Sequence, residues 1–188
     1  MYLVGFTPWD GVHPDELHEV IQGPAALPPG RALDIGSGKG GKAIYMATHG
    51  WKVTAVENVP RAVAQARKRA DAAHATVDFR LGDVTRLTEL GLDPGYSLLF
   101  DFGCHHGLKA TQRDAYAHGV TALAAPGATL LMMAFTQPVP PVPSGVTEAE
   151  LIERFGDGWM FAWSHPDRSG GTSAMRQAGA TWYCLIRR

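Results

Sequence analysis

The chain has 188 residues, a formal net charge of −1 and a pI near 6.7. That length is enough to bury a sizeable core and is expected to form one domain over residues 1–188, while so balanced a charge offers no electrostatic footprint for nucleic acid or for an anionic membrane surface. The two cysteines, Cys104 and Cys184, make neither a disulfide framework nor a metal-ligand spacing, and no signal-peptide pattern or membrane-spanning apolar run is visible, so a reduced, cytoplasmic setting is expected.

Residues 1–13 read as an irregular, aromatic flap carrying Tyr2, Phe6 and Trp9. Two readings of Trp9 stay open: it fills a core edge, or it closes over a flat or cationic ligand. Leu17, Val20 and Ile21 share one face of a helix predicted over 14–22. Pro14, Asp15 and Glu16 suit its first turn, and Gly23 stops it. A turn-rich connection then leads to Arg31-Ala32-Leu33-Asp34-Ile35, a short buried strand.

Three glycines at alternate positions follow, Gly36, Gly38 and Gly40, and then a helix over 42–49 closed by Gly50. A strand that breaks into glycines before a helix lets a ligand press against bare backbone and offers free N–H groups to an anion. Gly36, Gly38 and Gly41 also complete a Gly-x-Gly-x-x-Gly pattern, so the glycines alone leave a dinucleotide fingerprint open. Asp34 weighs against it, because a carboxylate there repels a pyrophosphate and suits a ligand carrying ammonium and hydroxyl groups.

Lys52–Glu57 is a second buried strand, with Glu57 at its carboxyl end, where an acid grips ribose hydroxyls in Rossmann-like sheets. A helix runs from Pro60 to about residue 73, with Arg61, Arg67, Lys68 and Arg69 on a solvated face. Val77–Leu81 is a third strand, closed by Gly82-Asp83-Val84, and 96–101 a fourth, ending on Asp101. A loop over 102–108 contains Cys104, His105 and His106. Thr111 and Asp114 have capping-box spacing and open a helix to about 124, and Pro126-Gly127 turns into a fifth strand over 128–135. The segment 137–146 is too rich in proline for regular structure, and Thr147 with Glu150 caps a short helix to 155. Strands over 159–164 and 180–186, joined by a polar loop over 165–179, form an antiparallel pair. Strands alternating with helix-length crossovers predict an α/β fold: a mostly parallel, Rossmann-like sheet with helices on both faces and this antiparallel pair at its C-terminal end.

Asp34, Glu57, Asp83 and Asp101 all fall at or near strand carboxyl ends, where open α/β sheets bind ligands. Together they suit a ligand with an amine, a ribose and an adenine edge. Leu33–Gly40 (Leu-Asp-Ile-Gly-Ser-Gly-Lys-Gly), with Glu57, Asp83 and the final strand pair, resembles a class I S-adenosylmethionine-dependent methyltransferase over nearly the whole chain. The resemblance extends to small single-domain bacterial members through Pro8-Trp9-Asp10, Asp101-Phe102-Gly103-Cys104-His105-His106-Gly107-Leu108, the proline-rich segment and Gly158-Trp159. Thiopurine methyltransferase and the heterocycle, sugar and fatty-acid methyltransferases share parts of this layout, and His105 stands where relatives often carry Phe.

The resemblance implies the following roles. The loop of Gly36, Ser37, Gly38 and Gly40 receives the methionine carboxylate of S-adenosylmethionine. Glu57 bonds the ribose, and Asp83 with the Val84 N–H reads the adenine. Asp101 and the loop after it sit under the sulfonium, and Trp9 closes over it. Transfer to an alcohol needs a proton acceptor, and His106, with His105 behind it, is the candidate general base; a carboxylate acceptor needs none. A metal held by Asp101, His105 and His106 is not expected, since adjacent histidines rarely converge on one ion, and direct transfer needs no nucleophilic Cys104. The acceptor pocket is expected from the flap, the loop after Asp101, residues 137–146 and the last hairpin including Trp159, a partly apolar lining that suits a small molecule. The leading expectation is a methyltransferase acting on oxygen, a hydroxyl or a carboxylate, as a monomer or homodimer without nucleic acid or membrane partners. N- or S-methylation of heterocycles, or a non-catalytic module binding S-adenosylmethionine, are the alternatives.

Overall fold

In a computed structural model, residues 14–139, 142, 144–168 and 173–188 are described; the expectations for Tyr2, Phe6, Trp9, Pro140, Pro141 and Pro143 lie outside them. The elements in chain order are α1 (Asp15–Gln22), β1 (Arg31–Ile35), α2 (Gly41–Thr48), β2 (Lys52–Glu57), α3 (Pro60–Ala72), β3 (Val77–Leu81), β4 (Tyr96–Phe102), α4 (Ala110–Leu123), β5 (Ala124–Phe135), α5 (Glu148–Phe155), β6 (Trp159–Pro166), α6 (Ser173–Gln177) and β7 (Ala180–Arg187). Among the described residues no helix is long and apolar enough to cross a membrane.

The strands form one sheet in the order β3-β2-β1-β4-β5-β7-β6. The first five are parallel, and β7 runs antiparallel between β5 and β6. Strands buried on both faces need near-continuous apolar runs, and the central ones supply them. Leu33 and Ile35 pack on one side with Val120, Leu130, Leu151 and Tyr183. Ala32 packs on the other with Leu17, Met46, Ala66 and Phe100. Helices α1, α2 and α3 therefore cover one face, and α4 and α5 the other.

Chain order reverses between β1 and β4, because β1 leads outward to β2 and β3 before the chain returns to β4 on its other side. Ligands bind at such a switch point, beyond the strand carboxyl ends. The register levels those ends: Ile35 pairs with Val56 of β2 and with Asp101 of β4. The residues that follow, Gly36, Glu57 and Phe102, so emerge at one lip of the sheet.

The structure departs from expectation in four places. The polar loop between the last strands contains α6, which buries Met175 beside Trp182. Helix α4 starts ahead of the Thr111–Asp114 pattern; the Lys109 N–H donates to Gln112 Oε1 at 3.0 Å instead, and Asp114 pairs with Arg154 of α5. β5 begins at Ala124, with an irregular pairing to β4 where Gly127 takes a φ of 75°. Trp159 opens β6 opposite Arg187, at the amino end of the parallel strands. It is buried against Phe155 and donates to Thr121 Oγ1 at 2.9 Å, so it serves the core and lies away from the lip.

Candidate active site

The glycine loop is drawn tight by its own backbone. Gly36 and Ser37 both donate to the Val56 carbonyl, at 2.9 and 3.0 Å, and Gly40 donates to Ser37 O at 2.9 Å. Gly36 has a φ of 74°, and a Cβ there would lie 2.7 Å from Cys104 Cβ. Gly40 caps α2 with a φ of 76°, and its Cβ would meet Ala66 and the Phe79 ring at 2.9 Å. Glycine is required at both positions, by handedness and by contact.

Glu57 joins this loop to β2. Its Oε2 accepts the Gly38 N–H and its Oε1 the Val59 N–H, both at 2.9 Å. Each carboxylate oxygen carries two lone pairs, so one remains on each for a ligand donor. Leu81, the register partner of Glu57, is 54% exposed, an apolar surface beside an acid. Asp83 caps the short 3₁₀ turn over Val84–Glu89 through Oδ1, which accepts from Thr85 N and Thr85 Oγ1 at 2.8 Å. At the base of the loop Asp34 is buried, and burial pushes its carboxyl up to about 7 against the pull of Lys42, with Asp101 and Glu57 adding to the rise. Its Oδ2 and the buried Ser37 Oγ have no hydrogen-bond partner among the described residues. Unpaired polar atoms are costly inside a protein, and two of them sit at this glycine loop, where ligand atoms could pair them. An amino group for Asp34, a hydroxyl or carboxylate for Ser37 and a diol for Glu57 match the donor set.

The loop after β4 is organised by Asp101. Its Oδ1 accepts the Cys104 N–H at 2.8 Å; its Oδ2 accepts the His105 N–H at 3.0 Å and the Tyr116 hydroxyl at 2.7 Å. Burial raises this carboxyl to about 6, and those donors hold it below where burial alone would leave it. Asp101 is thus a positioning residue that seats Cys104 against Gly36. Burial also lifts the Cys104 thiol well above its usual range, which removes thiolate character.

The two histidines differ. The His105 ring is fully buried, edge-on to Tyr116 at 5.0 Å, with neither nitrogen paired among the described residues; burial, then Arg113, brings it down to about 3. His106 stacks on Phe135 at 4.2 Å, and its Nδ1 accepts the Phe135 N–H at 3.1 Å. Burial, then Arg113, brings it down to about 4.

Sequence reading passed over the residue that ties this loop down. Arg113, on the buried face of α4, donates to Glu150 Oε1 and Oε2 at 2.8 and 3.0 Å, and to the carbonyls of Leu108, His106, Ser144 and Gly145 at 2.9–3.3 Å. One guanidinium thereby joins the loop after β4, the proline-rich segment and α5. Its signal was an arginine in register with Tyr116 and Val120 on an apolar helix face. Among the described residues no group of His, Cys, Asp and Glu side chains could hold a metal ion. Asp34, Glu57 and Asp101 lie in the last two residues of β1, β2 and β4, and the glycines, Asp83, Val84 and the histidines follow β1, β3 and β4; Trp9 lies outside the described residues.

Residues 32–127 match the family described as the methyltransferase domain. A 2-heptyl-1-hydroxyquinolin-4(1H)-one methyltransferase from Mycobacteroides abscessus is 27% identical over 135 residues, which are 69% of this chain and 59% of that protein; the chain thus spans less than two thirds of that relative. Two solved structures share the fold. One, reported for the conversion of a disulfide bond into a thioacetal group in echinomycin biosynthesis, has a TM-score of 0.77 at 21% identity, over 99% of this chain and 90% of its own. The other, the 1,6-didemethyltoxoflavin-N1-methyltransferase of Burkholderia thailandensis with S-adenosylhomocysteine bound, has a TM-score of 0.69 at 21% identity, over 92% of this chain and 75% of its own.

Proposed function

The chain belongs to the class I S-adenosylmethionine-dependent methyltransferases, and from that premise we propose that it transfers a methyl group to an oxygen of a small-molecule acceptor. The observation that carries this reading is the convergence at one lip of the sheet. There Glu57 pins Gly38, and Asp101 seats Cys104 against Gly36. In this reading Glu57 takes the ribose hydroxyls, and Asp83 with the Val84 N–H takes the adenine beside Leu81. Asp34, Ser37 and the bare backbone of Gly36, Gly38 and Gly40 take the amino-acid end, and Trp9 is assigned as a lid.

When bound, S-adenosylmethionine supplies an electrophilic methyl group that needs no further activation. The residues of this chain therefore align, desolvate and hold. Positive charge disperses as the methyl moves, so stabilising it strongly before transfer does not help the rate. Asp101 fits that requirement, since its oxygens are occupied by the Cys104, His105 and Tyr116 donors. The acceptor side is built by the loop after β4 and the proline-rich segment, both held by Arg113. The relative named for a 2-heptyl-1-hydroxyquinolin-4(1H)-one supports a small heteroaromatic acceptor, a compound class that carries oxygens. A second reading, transfer to a ring nitrogen, draws on the N1-methyltransferase that shares the fold.

Calorimetric titration with S-adenosylmethionine, S-adenosylhomocysteine and, as control, NADH tests the reading. Micromolar binding of the two sulfur ligands alone is expected. Binding of NADH instead would overturn it, and cofactor binding without S-adenosylhomocysteine formation from any oxygen or nitrogen acceptor would reduce the protein to a binding module.

A further inference from the structure

We infer that His106 serves the acceptor as a fixed N–H donor rather than as a base, and that the site takes acceptors whose attacking oxygen is already ionised. This rests on the methyl-transfer reading above. The argument starts from a backbone amide, which can only donate. The Phe135 N–H points at His106 Nδ1 at 3.1 Å, so Nδ1 must keep its lone pair. A neutral imidazole carries one proton, and here it sits on Nε2. Nε2 is then a donor with no lone pair to receive a proton, and Nδ1 is spent on the backbone.

The ring has little freedom to do otherwise. It stacks on Phe135 with planes 13° apart, and the Arg113 guanidinium holds the His106 carbonyl at 3.2 Å. Protonating the ring would set an N–H against the Phe135 N–H. Of the charged and titratable neighbours, Arg113 on α4 disfavours the imidazolium, Glu150 on α5 is neutralised by that same arginine at 2.8 Å, Asp101 is turned to its own three donors, and His105 is itself neutral. Among the described residues nothing facing the ring rewards a positive charge.

The donor edge faces the lip. A Cβ on Gly103 would lie 3.3 Å from His106 Cε1 and 3.6 Å from Nε2, so the missing side chain leaves room beside that edge at the tip of β4. Among the described residues Nε2 has no hydrogen-bond partner. An oxygen placed there is held by the imidazole N–H and keeps further lone pairs for attack. With an ionised acceptor the balance is simple: an oxygen lone pair forms the new bond to the methyl carbon, the carbon–sulfur pair goes to sulfur, the two charges cancel, and no proton leaves. A neutral alcohol would have to lose its proton to a group this loop does not present. A carboxylate or an acidic N-hydroxy or phenolic oxygen meets the requirement unaided.

The test is long-range proton–nitrogen correlation of the histidine rings in uniformly labelled protein, from pH 5 to pH 8. The His106 signals are assigned by their loss in His106→Gln, with His106→Asn as the second variant should the first not fold. The expected result is a single Nε2–H tautomer across the range. With S-adenosylhomocysteine bound, added benzoate is expected to move the Nε2 proton signal, and benzyl alcohol is not. An Nδ1–H tautomer, or a ring that titrates near 6.5 like a free imidazole, overturns the donor role. A signal that benzoate leaves unmoved overturns the anionic acceptor. Absence of S-adenosylhomocysteine binding, with the tautomer as described, instead overturns the functional reading and the acceptor assignment that rests on it.

Discussion

Replacing Tyr116 by Phe removes one hydroxyl and little volume, and it isolates what holds the loop after β4. That hydroxyl donates to Asp101 Oδ2 at 2.7 Å, with both side chains fully buried. A hydrogen bond to an ionised group contributes about 1.5–3 kcal/mol, and one to a neutral group about 0.5–1.5. Asp101 stands at about 6 in the folded protein, above its ordinary 3.8. A raised carboxyl contributes stability that is fully present below the unfolded value and lost as pH rises through the folded one. Losing the Tyr116 donor raises the folded value further, so the variant suffers most where the carboxylate must be ionised. The expected loss is about 2 kcal/mol at pH 8, shrinking to about 1 kcal/mol at pH 5. At roughly 2–4 °C per kcal/mol for a chain of this size, the melting temperature falls by about 4–8 °C at pH 8. Urea denaturation at the two pH values, followed by tryptophan fluorescence, measures the difference. Equal losses at both, or a loss under about 0.5 kcal/mol at pH 8, would refute the view that Tyr116 holds Asp101 as an anion.

Gly36→Ala places a Cβ 2.7 Å from Cys104 Cβ at a φ of 74°; the handedness alone costs about 1–2 kcal/mol. S-adenosylhomocysteine binding in calorimetry is expected to be lost, with partial recovery on adding Cys104→Gly. Arg113→Lys keeps the charge but cannot reach the carbonyls of Leu108, His106, Ser144 and Gly145 together with Glu150. A loss of about 3 kcal/mol in chemical denaturation is expected, along with faster proteolysis within 137–146. His105→Phe removes two buried nitrogens that have no partner among the described residues. The histidine stands at about 3, so below 6.5 the unfolded chain binds the extra proton and stability falls as pH drops. The variant is expected to gain about 2 kcal/mol more at pH 5 than at pH 8, and an equal change at both would contradict the burial argument.

The sequence by itself determined what depends on neighbours along the chain. Apolar runs placed β1 and β2 with their bounds, because a strand buried on both faces leaves little choice of residue; β3, at the sheet edge, was placed as well although only Phe79 of it is buried. The alternate glycines located the loop proposed to hold the ligand, and carboxylates at successive strand ends singled out Asp34, Glu57, Asp83 and Asp101. The final strand pair was legible for a similar reason, since its connection was not a crossover helix. The helix inside that connection was not, being short and anchored by the burial of Met175 beside Trp182. The roles inside the site belong to the tertiary structure. Asp101 became a loop anchor because α4 brings Tyr116 to it, and Arg113 became a clamp because the Ser144 and Gly145 carbonyls and Glu150 arrive from a distant segment. Trp159 left the acceptor side because antiparallel pairing with β7 sends the start of β6 to the amino end of the parallel strands. For His106 the residue type suggested a base, but one backbone N–H 29 positions away determines which ring nitrogen holds the proton. A histidine's chemistry depends on the groups its two nitrogens meet, and only the packed chain brings those groups together.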